Sequence, residues 1–501
     1  MTLLEIIILA WVALAIGLFP RFRKWMLLIA SLAVLYWLQP PLLIRNLDFW
    51  LPTVSLGLVC VVWAVSRTRR QTAAVAGAAG SSRIAMQAQW TWLRGEDVRT
   101  VLVAVIFILL LGASRDLELL RLSANPAPDY PTILAGLGVL GSVFAIFLLL
   151  AGRRGGSLLA LAGILVLFIL LKSESLAQAA AGFLRALTGQ NIELAAGDEI
   201  RWLGFSYIAF RLIHVLRDGM AGRLPTLSLR ELLVYTIFFP ALPAGPIDRV
   251  QRFLPELRGE PVGARPIPVL SAADAWEGGV RIATGLVKKF VLADTLSLIA
   301  LGGSNAAQIT SAGWLWFFLY AYAIRIYLDF SGYTDIAIGL GRWMGFRLPE
   351  NFNRPYLQAN LTQFWNSWHI TLAQWFRAYF FNPFTRALRS GGRNLPMGVI
   401  ILAGQMGTML LIGLWHGITL NFALWGFWHG AGLFVHNRWS DWSRARLTAW
   451  EEQHPHLRRV YSGVATVATF NYVALGWVWF ALPSVPLSVN VFARLFGLPG
   501  G

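Results

Sequence analysis

Apolar runs recur along almost the whole chain, separated by short polar stretches. They fall at 3–19, 25–38, 49–65, 98–113, 132–151, 157–171, 201–217, 231–247, 281–300, 311–328, 398–415, 418–436 and 460–482. So many long apolar runs in one chain predict a polytopic membrane protein. Several are shorter than the ~20 residues that a perpendicular membrane helix needs, so tilted, broken or re-entrant helices are expected among them. The pattern predicts an all-α fold with about 11–13 membrane helices.

One stretch breaks the pattern. From Asp329 to Arg393 the chain is too polar to cross lipid directly and too aromatic for a floppy loop. Irregular backbone at membrane depth is tolerated only where protein buries it or a watery cavity adjoins it. Short interfacial or re-entrant helices are therefore expected here. Pro349, Asn351, Asn353 and Pro355 mark a break in PENFNRP, and a helix is predicted to begin near Asn360 or Thr362. Trp365, His369, Leu372 and Phe376 then share one face of it, at i, i+4, i+7 and i+11. No internal repeat, low-complexity tract or separable soluble domain is visible.

Composition supports the membrane reading: of 501 residues, 56% are hydrophobic and only 13% charged. Lys and Arg exceed Asp and Glu by 42 to 25, a net +17. In a membrane protein such an excess sets topology. Basic loops (Arg21, Arg23 and Lys24; Arg67 to Arg99; Arg153 and Arg154; Arg249 to Arg265; Arg438 to Arg459) alternate with neutral or acidic ones at 114–131 and 172–200. The positive-inside rule then places the N-terminus outside and the loop at 21–24 in the cytoplasm. The excess also suits attraction of an anionic donor. Nucleic acid is not an expected partner, because the basic residues are dispersed and form no recognisable patch. The single cysteine, Cys60, lies in an apolar run and reads as a core residue. The N-terminal run lacks a positive n-region and a cleavage site, and reads as a retained first span.

Two histidines stand out against this background. His416 ends an apolar run in LWHG, flanked by Gly413 and Gly417; His369 lies upstream in FWNSWH. An ionisable group at membrane depth is costly and by default faces a cavity or does chemistry. A desolvated neutral imidazole is the form that takes a proton from an attacking hydroxyl. A tryptophan-rich surround excludes the water that would hydrolyse an activated acyl donor. His429 reads as packing, His436 as interfacial, and His454 and His456 as solvated. Asp329 and Asp335 directly follow an apolar span, which suits a helix end or a group that orients a histidine or an acceptor hydroxyl. Arg325 and Arg354 would neutralise donor phosphates or pair with these acids. No HExxH or cysteine pair supports a metal, no nucleophile elbow surrounds Ser331 or Ser367, and no Walker or Rossmann glycine pattern is present. A transporter or flippase using histidine proton relays, or a structural subunit of a synthase, remains compatible with these residues alone.

At longer range the chain resembles the membrane-bound O-acyltransferases, in the bacterial branch that holds alginate O-acetyltransferase and the teichoic-acid D-alanyl transfer protein. The resemblance is carried, in order, by GFSYIAFRLIHVLRD (204–218), FFPALPAGPIDR (238–249), YLDFSGYTDIAIGLGRWMGFRLPENFNRPY (327–356), FWNSWHITLAQWFRAY (364–379), LWHG (414–417), LWGFWHG (424–430) and GWVWF (476–480). It implies helices around a central funnel or tunnel, with N-terminal helices over 1–200, a catalytic core over 201–482 and a tail over 483–501. It implies His416 and His369 as catalytic residues, and it draws Asp329, Asp335, Asn353, Arg354, Trp365, Asn366, Trp368 and Trp415 into substrate binding. The implied reaction moves a small acyl group, acetyl first, from an acyl-CoA or carrier-protein thioester to hydroxyls of an extracytoplasmic polysaccharide, with no bound cofactor. The implied partners are the lipid bilayer, the donor, the glycan and a periplasmic or extracellular SGNH-type esterase or acetyltransferase. Ala378 stands where members of the family often carry an acid, FFNPFTRALRSGGR replaces an alginate-type stretch, and WFALP departs from the family near the C-terminus. Neither specific substrate carries over.

Overall fold

The computed structural model describes residues 1–66, 95–115, 122–151, 153–260, 270–391 and 394–499. The loop charges from Arg67 to Arg94 and from Asp116 to Arg121, and part of the basic segment ending at Arg265, lie outside the described residues. The described chain is helical, without strands; its sole β pairing is an isolated antiparallel bridge between Phe352 and Trp368. It forms two compact units, Met1–Gly279 with Ala337–Leu348, and Val280–Ile336 with Pro349–Gly501.

The first unit opens with α1 (Leu3–Leu18), α2 (Arg23–Trp37) and α3 (Leu47–Ser66), then α4 (Gly95–Ala113), α5 (Tyr130–Leu149), α6 (Arg154–Lys172) and α7 (Glu174–Leu187). Their starts follow local chemistry. A reciprocal capping box joins Thr2 and Glu5 at α1, and the Asp129 carboxylate accepts the Thr132 N–H at α5. After these come α8 (Phe205–Met220), α9 (Leu229–Thr236) and α10 (Val250–Arg258). The apolar run 231–247 is not one span. It is α9 followed by a 3₁₀ turn at Phe239–Ala241. Prolines 240, 243 and 246 forbid a continuous helix. The buried Arg211 guanidinium donates to the carbonyls of Thr236 at 2.7 Å and Ala241 at 3.0 Å, which satisfies the acceptors the break exposes.

Toward the second unit run α11 (Ala272–Leu286), a π-helical segment (Val287–Ala293), α12 (Asp294–Ser297), α13 (Gly303–Gln308) and the long α14 (Ala312–Trp343). Then follow α15 (Leu361–Trp365), α16 (Ile370–Phe376), a second π segment (Arg377–Phe381), α17 (Asn382–Ser390), α18 (Met397–His416), α19 (Leu420–Gln453), α20 (Arg458–Ala481) and α21 (Val485–Leu495). Among the described residues α3, α5, α6, α18 and α20 are both long and apolar enough to cross a membrane. This is an all-α, multi-pass membrane protein. α5 shows the lipid-facing extreme, with Leu134, Val139, Val143, Ile146 and Leu149 exposed. At 34 residues α19 is about 51 Å long at 1.5 Å per residue, more than the ~30 Å of a bilayer core.

Candidate active site

The candidate site lies in the second unit and starts with an irregular turn. The segment 351–353 runs extended and antiparallel to 367–370: Asn353 N–H donates to Ser367 O at 3.0 Å, and Ile370 N–H to Asn351 O at 2.9 Å. This pairing splits the helix expected across Trp365, His369, Leu372 and Phe376 into α15 and α16. His369 is not on a helical stripe. It is the N-cap of α16, in the left-handed region at φ 42°. Such a conformation costs a non-glycine residue about 1–3 kcal/mol and persists only where surrounding bonds impose it. Here the imposing residue is Asn351, which is fully buried.

The Asn351 side-chain oxygen accepts from the Thr371 N–H at 3.3 Å and from the Thr371 hydroxyl at 2.7 Å, and lies 3.2 Å from His369 Nδ1. A backbone N–H can only donate, so the atom facing it is the amide oxygen. His369 Nδ1 must then carry the proton. Nε2 is left as a lone pair, buried and without a hydrogen-bond partner among the described residues. Most buried polar groups have a partner, so this nitrogen is marked as available to one.

The second imidazole comes from the α18–α19 hairpin, whose helices touch at glycines. A Cβ on Gly413 would lie 2.2 Å from Phe422 O, and one on Gly426 would lie 2.5 Å from Met409 O. That backbone approach brings His416, the last residue of α18, against the first turns of α19. Its ring centroid lies 5.8 Å from Phe422, 5.7 Å from Trp425 and, across to α20, 4.7 Å from Phe480. His416 is partly accessible, whereas His369 is 3% exposed. The two meet on one side chain: the Trp415 ring lies 4.4 Å from His416 and 6.1 Å from His369. Phe330 of α14 packs edge-on to His369 at 4.7 Å.

Behind this wall lies His429, fully buried on α19, 5.0 Å from Trp425 and 5.1 Å from Trp365. Gly476 of α20 makes room for it, since a Cβ there would lie 2.7 Å from His429 Nε2. Trp368 fills the adjoining space, 5.2 Å from both Phe352 and Trp477. Of the three expected tryptophans, Trp415 thus touches both candidate imidazoles, Trp365 packs on His429, and Trp368 packs among Phe352, Phe364 and Trp477. His436 is tied to Thr362, with Nδ1 3.1 Å from the hydroxyl.

Other expected residues fall elsewhere. Asp329 and Asp335 are not at a helix end; both lie inside α14, and among the described residues their ion-pair partners are Arg281, Lys288 and Lys289 rather than a histidine. Asp335 accepts from Arg281 at 2.5 Å and Lys288 at 2.7 Å, and Asp329 accepts from Lys289 at 2.5 Å. Arg281 also pairs with Glu350. Their partners are therefore α11 and its π segment, not Arg325 or Arg354. Gly285 and Gly332 allow the close crossing that makes these pairs reach, since a Cβ on Gly285 would lie 2.5 Å from Gly332 O. Asn366 accepts from Arg377 at 2.7 Å. Asn353 and Arg354 are exposed, Arg354 with a left-handed backbone at φ 47°. The positioning roles of Asn351, Thr371, Lys288 and Lys289 escaped the sequence reading; Asn351 showed only as a break in the pattern.

Residues 201–474 match the model of the membrane-bound O-acyltransferase family, over half of the chain. The protein named "Probable alginate O-acetylase AlgI" of Pseudomonas aeruginosa is 34% identical over 296 residues, 59% of this chain and 51% of that protein. A peptidoglycan O-acetyltransferase of Helicobacter pylori is 32% identical over 276 residues, covering 54% of this chain and 48% of the relative. A teichoic acid D-alanyltransferase of Bacillus subtilis is 28% identical over 284 residues, covering 56% and 69%. The alginate and peptidoglycan relatives are thus matched over about half of their own length.

Proposed function

The chain belongs to the membrane-bound O-acyltransferase family, and from that premise we propose that it transfers a small acyl group from a thioester to hydroxyls of an extracytoplasmic polysaccharide or cell-envelope glycan. Acetyl is the first choice, since two of the relatives above are named as acetylating enzymes. The donor is an acyl-CoA or a carrier-protein thioester. A periplasmic or extracellular SGNH-type protein is the expected partner at the glycan. The proposed location is a bacterial inner membrane, as in the bacterial relatives above, with the N-terminus outside, an orientation that the alternation of basic loops supports.

The observation that carries this reading is the convergence of His369 and His416 on Trp415. His416, the more accessible imidazole, accepts the proton as the glycan hydroxyl attacks the thioester carbonyl. A C–O bond forms, the C–S bond breaks, and the departing thiolate recovers the proton from the imidazolium. His369 has a more restricted part. With its proton fixed on Nδ1 by Asn351, the neutral ring accepts at Nε2 and cannot donate there. It therefore orients a donor group of the substrate, such as a neighbouring hydroxyl or an amide N–H, and does not polarise the thioester carbonyl. The phenyl and indole rings around His416 exclude water, which would otherwise compete for the acyl group.

The test is mass spectrometry of cell-surface glycans from strains with the gene, without it, and with His416→Ala. Ester-linked acyl groups should disappear in the last two strains. Unchanged acylation in the His416→Ala strain, at wild-type protein level in the membrane, would refute the assignment.

A further inference from the structure

α7 has an uncharged, apolar edge on its exposed side. Its only ionisable residues are Glu174 and Arg185. Arg185 is turned inward and buried, donating to Glu199 through Nε at 2.9 Å and through a second nitrogen at 2.5 Å. Ala177, Ala181 and Gly182 are also buried, and Ala181 packs in a cluster with Leu42, Ile44, Leu47 and Leu51. At 100° per residue, Leu176, Ala179, Phe183 and Leu187 fall on the opposite side. All four are exposed, Phe183 at 64% and Leu187 at 68%. The apolar surface continues past the helix end into Ile192 and Leu194, both exposed. A shallow groove of about 500 Å³ beside Gly182, Phe183 and Ile192 joins the two parts, with Gln178 and the exposed Glu193 at its polar rim.

The position of this helix selects its surroundings. Only Ser173 separates α7 from α6, and α6 is long and apolar enough to cross the bilayer. α6 itself exposes Leu158, Leu159, Leu165, Val166 and Ile169, a lipid-facing side. α7 therefore starts where a membrane span ends, at the α6 terminus away from Arg153 and Arg154. An amphipathic helix at that depth lies along the membrane–water boundary with its apolar face among the acyl chains.

We propose that α7 is an in-plane interfacial helix whose Leu176–Ala179–Phe183–Leu187 edge is immersed in the lipid leaflet. The occupant of this face is the phospholipid bilayer and not a soluble protein. Arg185 and Glu199 pin the inner side, so the helix is held to the protein while its outer side dissolves in lipid.

The experiment uses the full chain in proteoliposomes, with Cys60→Ala as background. Nitroxide labels are attached at Phe183→Cys, at Leu187→Cys and, on the polar side, at Glu174→Cys. Collision rates are measured with oxygen, which concentrates in lipid, and with a water-soluble nickel chelate. The ratio of oxygen to nickel collisions should be several-fold higher at Phe183 and Leu187 than at Glu174. A ratio at Phe183 equal to or below that at Glu174 would overturn the proposal, because the edge then faces water. Exclusion of both reagents at Phe183 would also overturn it, because a protein then covers the face. Retained glycan acylation by each labelled variant shows that the protein is folded.

Discussion

The side-chain oxygen of Asn351 lies 3.2 Å from His369 Nδ1 and is itself fixed by the Thr371 hydroxyl at 2.7 Å. One buried amide thereby sets both the proton position on the imidazole and the left-handed backbone that presents it. Asn351→Ala should leave the protein in the membrane while turnover falls about 10–100-fold, by analogy with the loss of groups that orient metal-bound histidines. Thr371→Val, which keeps the backbone donor, should cost less. Initial rates of acyl transfer in purified membranes, normalised to protein amount, check the order.

His416→Ala should lower transfer by about 10²–10⁴-fold, the range for a lost general base. His369→Ala should also abolish most activity. The two variants are expected to differ in substrate dependence: His416→Ala falls mainly in kcat, whereas His369→Ala also raises KM for the acceptor. Steady-state kinetics with a soluble glycan fragment separates them.

The glycine contact between α18 and α19 predicts a structural failure that mimics a catalytic one. Gly413→Ala places a methyl group 2.2 Å from Phe422 O, which is backbone and cannot swing away. The helices must separate, at about 1–3 kcal/mol, and His416 moves with them. A lower melting temperature in detergent together with lost activity is the expected pair of results. Gly398→Ala, on the same helix with nothing within 4 Å, should change neither.

Asp335 and Asp329 look alike in sequence, yet their substitution should differ. Asp335 is 7% exposed and serves two cations, while Asp329 is 46% exposed and serves one. Asp335→Asn leaves Lys288 facing a neutral amide and Arg281 with Glu350 as its carboxylate partner, and should cost about 2 kcal/mol, below the 3–5 kcal/mol of a fully enclosed pair because both cations retain some water. Asp329→Asn should stay within about 1 kcal/mol. Thermal melts in detergent distinguish the two.

The Arg185–Glu199 pair predicts a pH effect. Hydrogen bonding from Arg185 holds the Glu199 carboxyl below its ordinary value of 4.5. Folded protein thus binds this proton less readily than unfolded protein. The stabilisation is complete above pH 4.5 and is lost as pH falls below it toward the depressed folded value. The melting temperature of Glu199→Gln should be lower than wild type at neutral pH, and the gap should narrow on acidification.

Which parts of this could be read from the sequence follows from the range of the forces involved. The runs 398–415 and 460–482 became α18 and α20 within two residues at each end, because burial in lipid depends on local composition. The run 311–328 underestimated α14, which continues to Trp343. Its second half is polar in sequence, but Asp329 and Asp335 are neutralised by side chains far away in the chain. The periodicity at Trp365, His369, Leu372 and Phe376 was genuine and still misled, since a backbone bond from Ile370 to Asn351 interrupts the helix. The residue types of the candidate site were legible; Asn351 was not, because its role exists only once the two segments lie side by side.

His369 is also a position where two kinds of selection pull apart. A left-handed backbone favours glycine or asparagine, and under the proposed role it is the need for an imidazole that overrides that preference. On that proposal, drift toward stability at this position is drift toward inactivity. A lineage that loses the reaction should replace His369 early, while the apolar spans around it persist and the protein still folds.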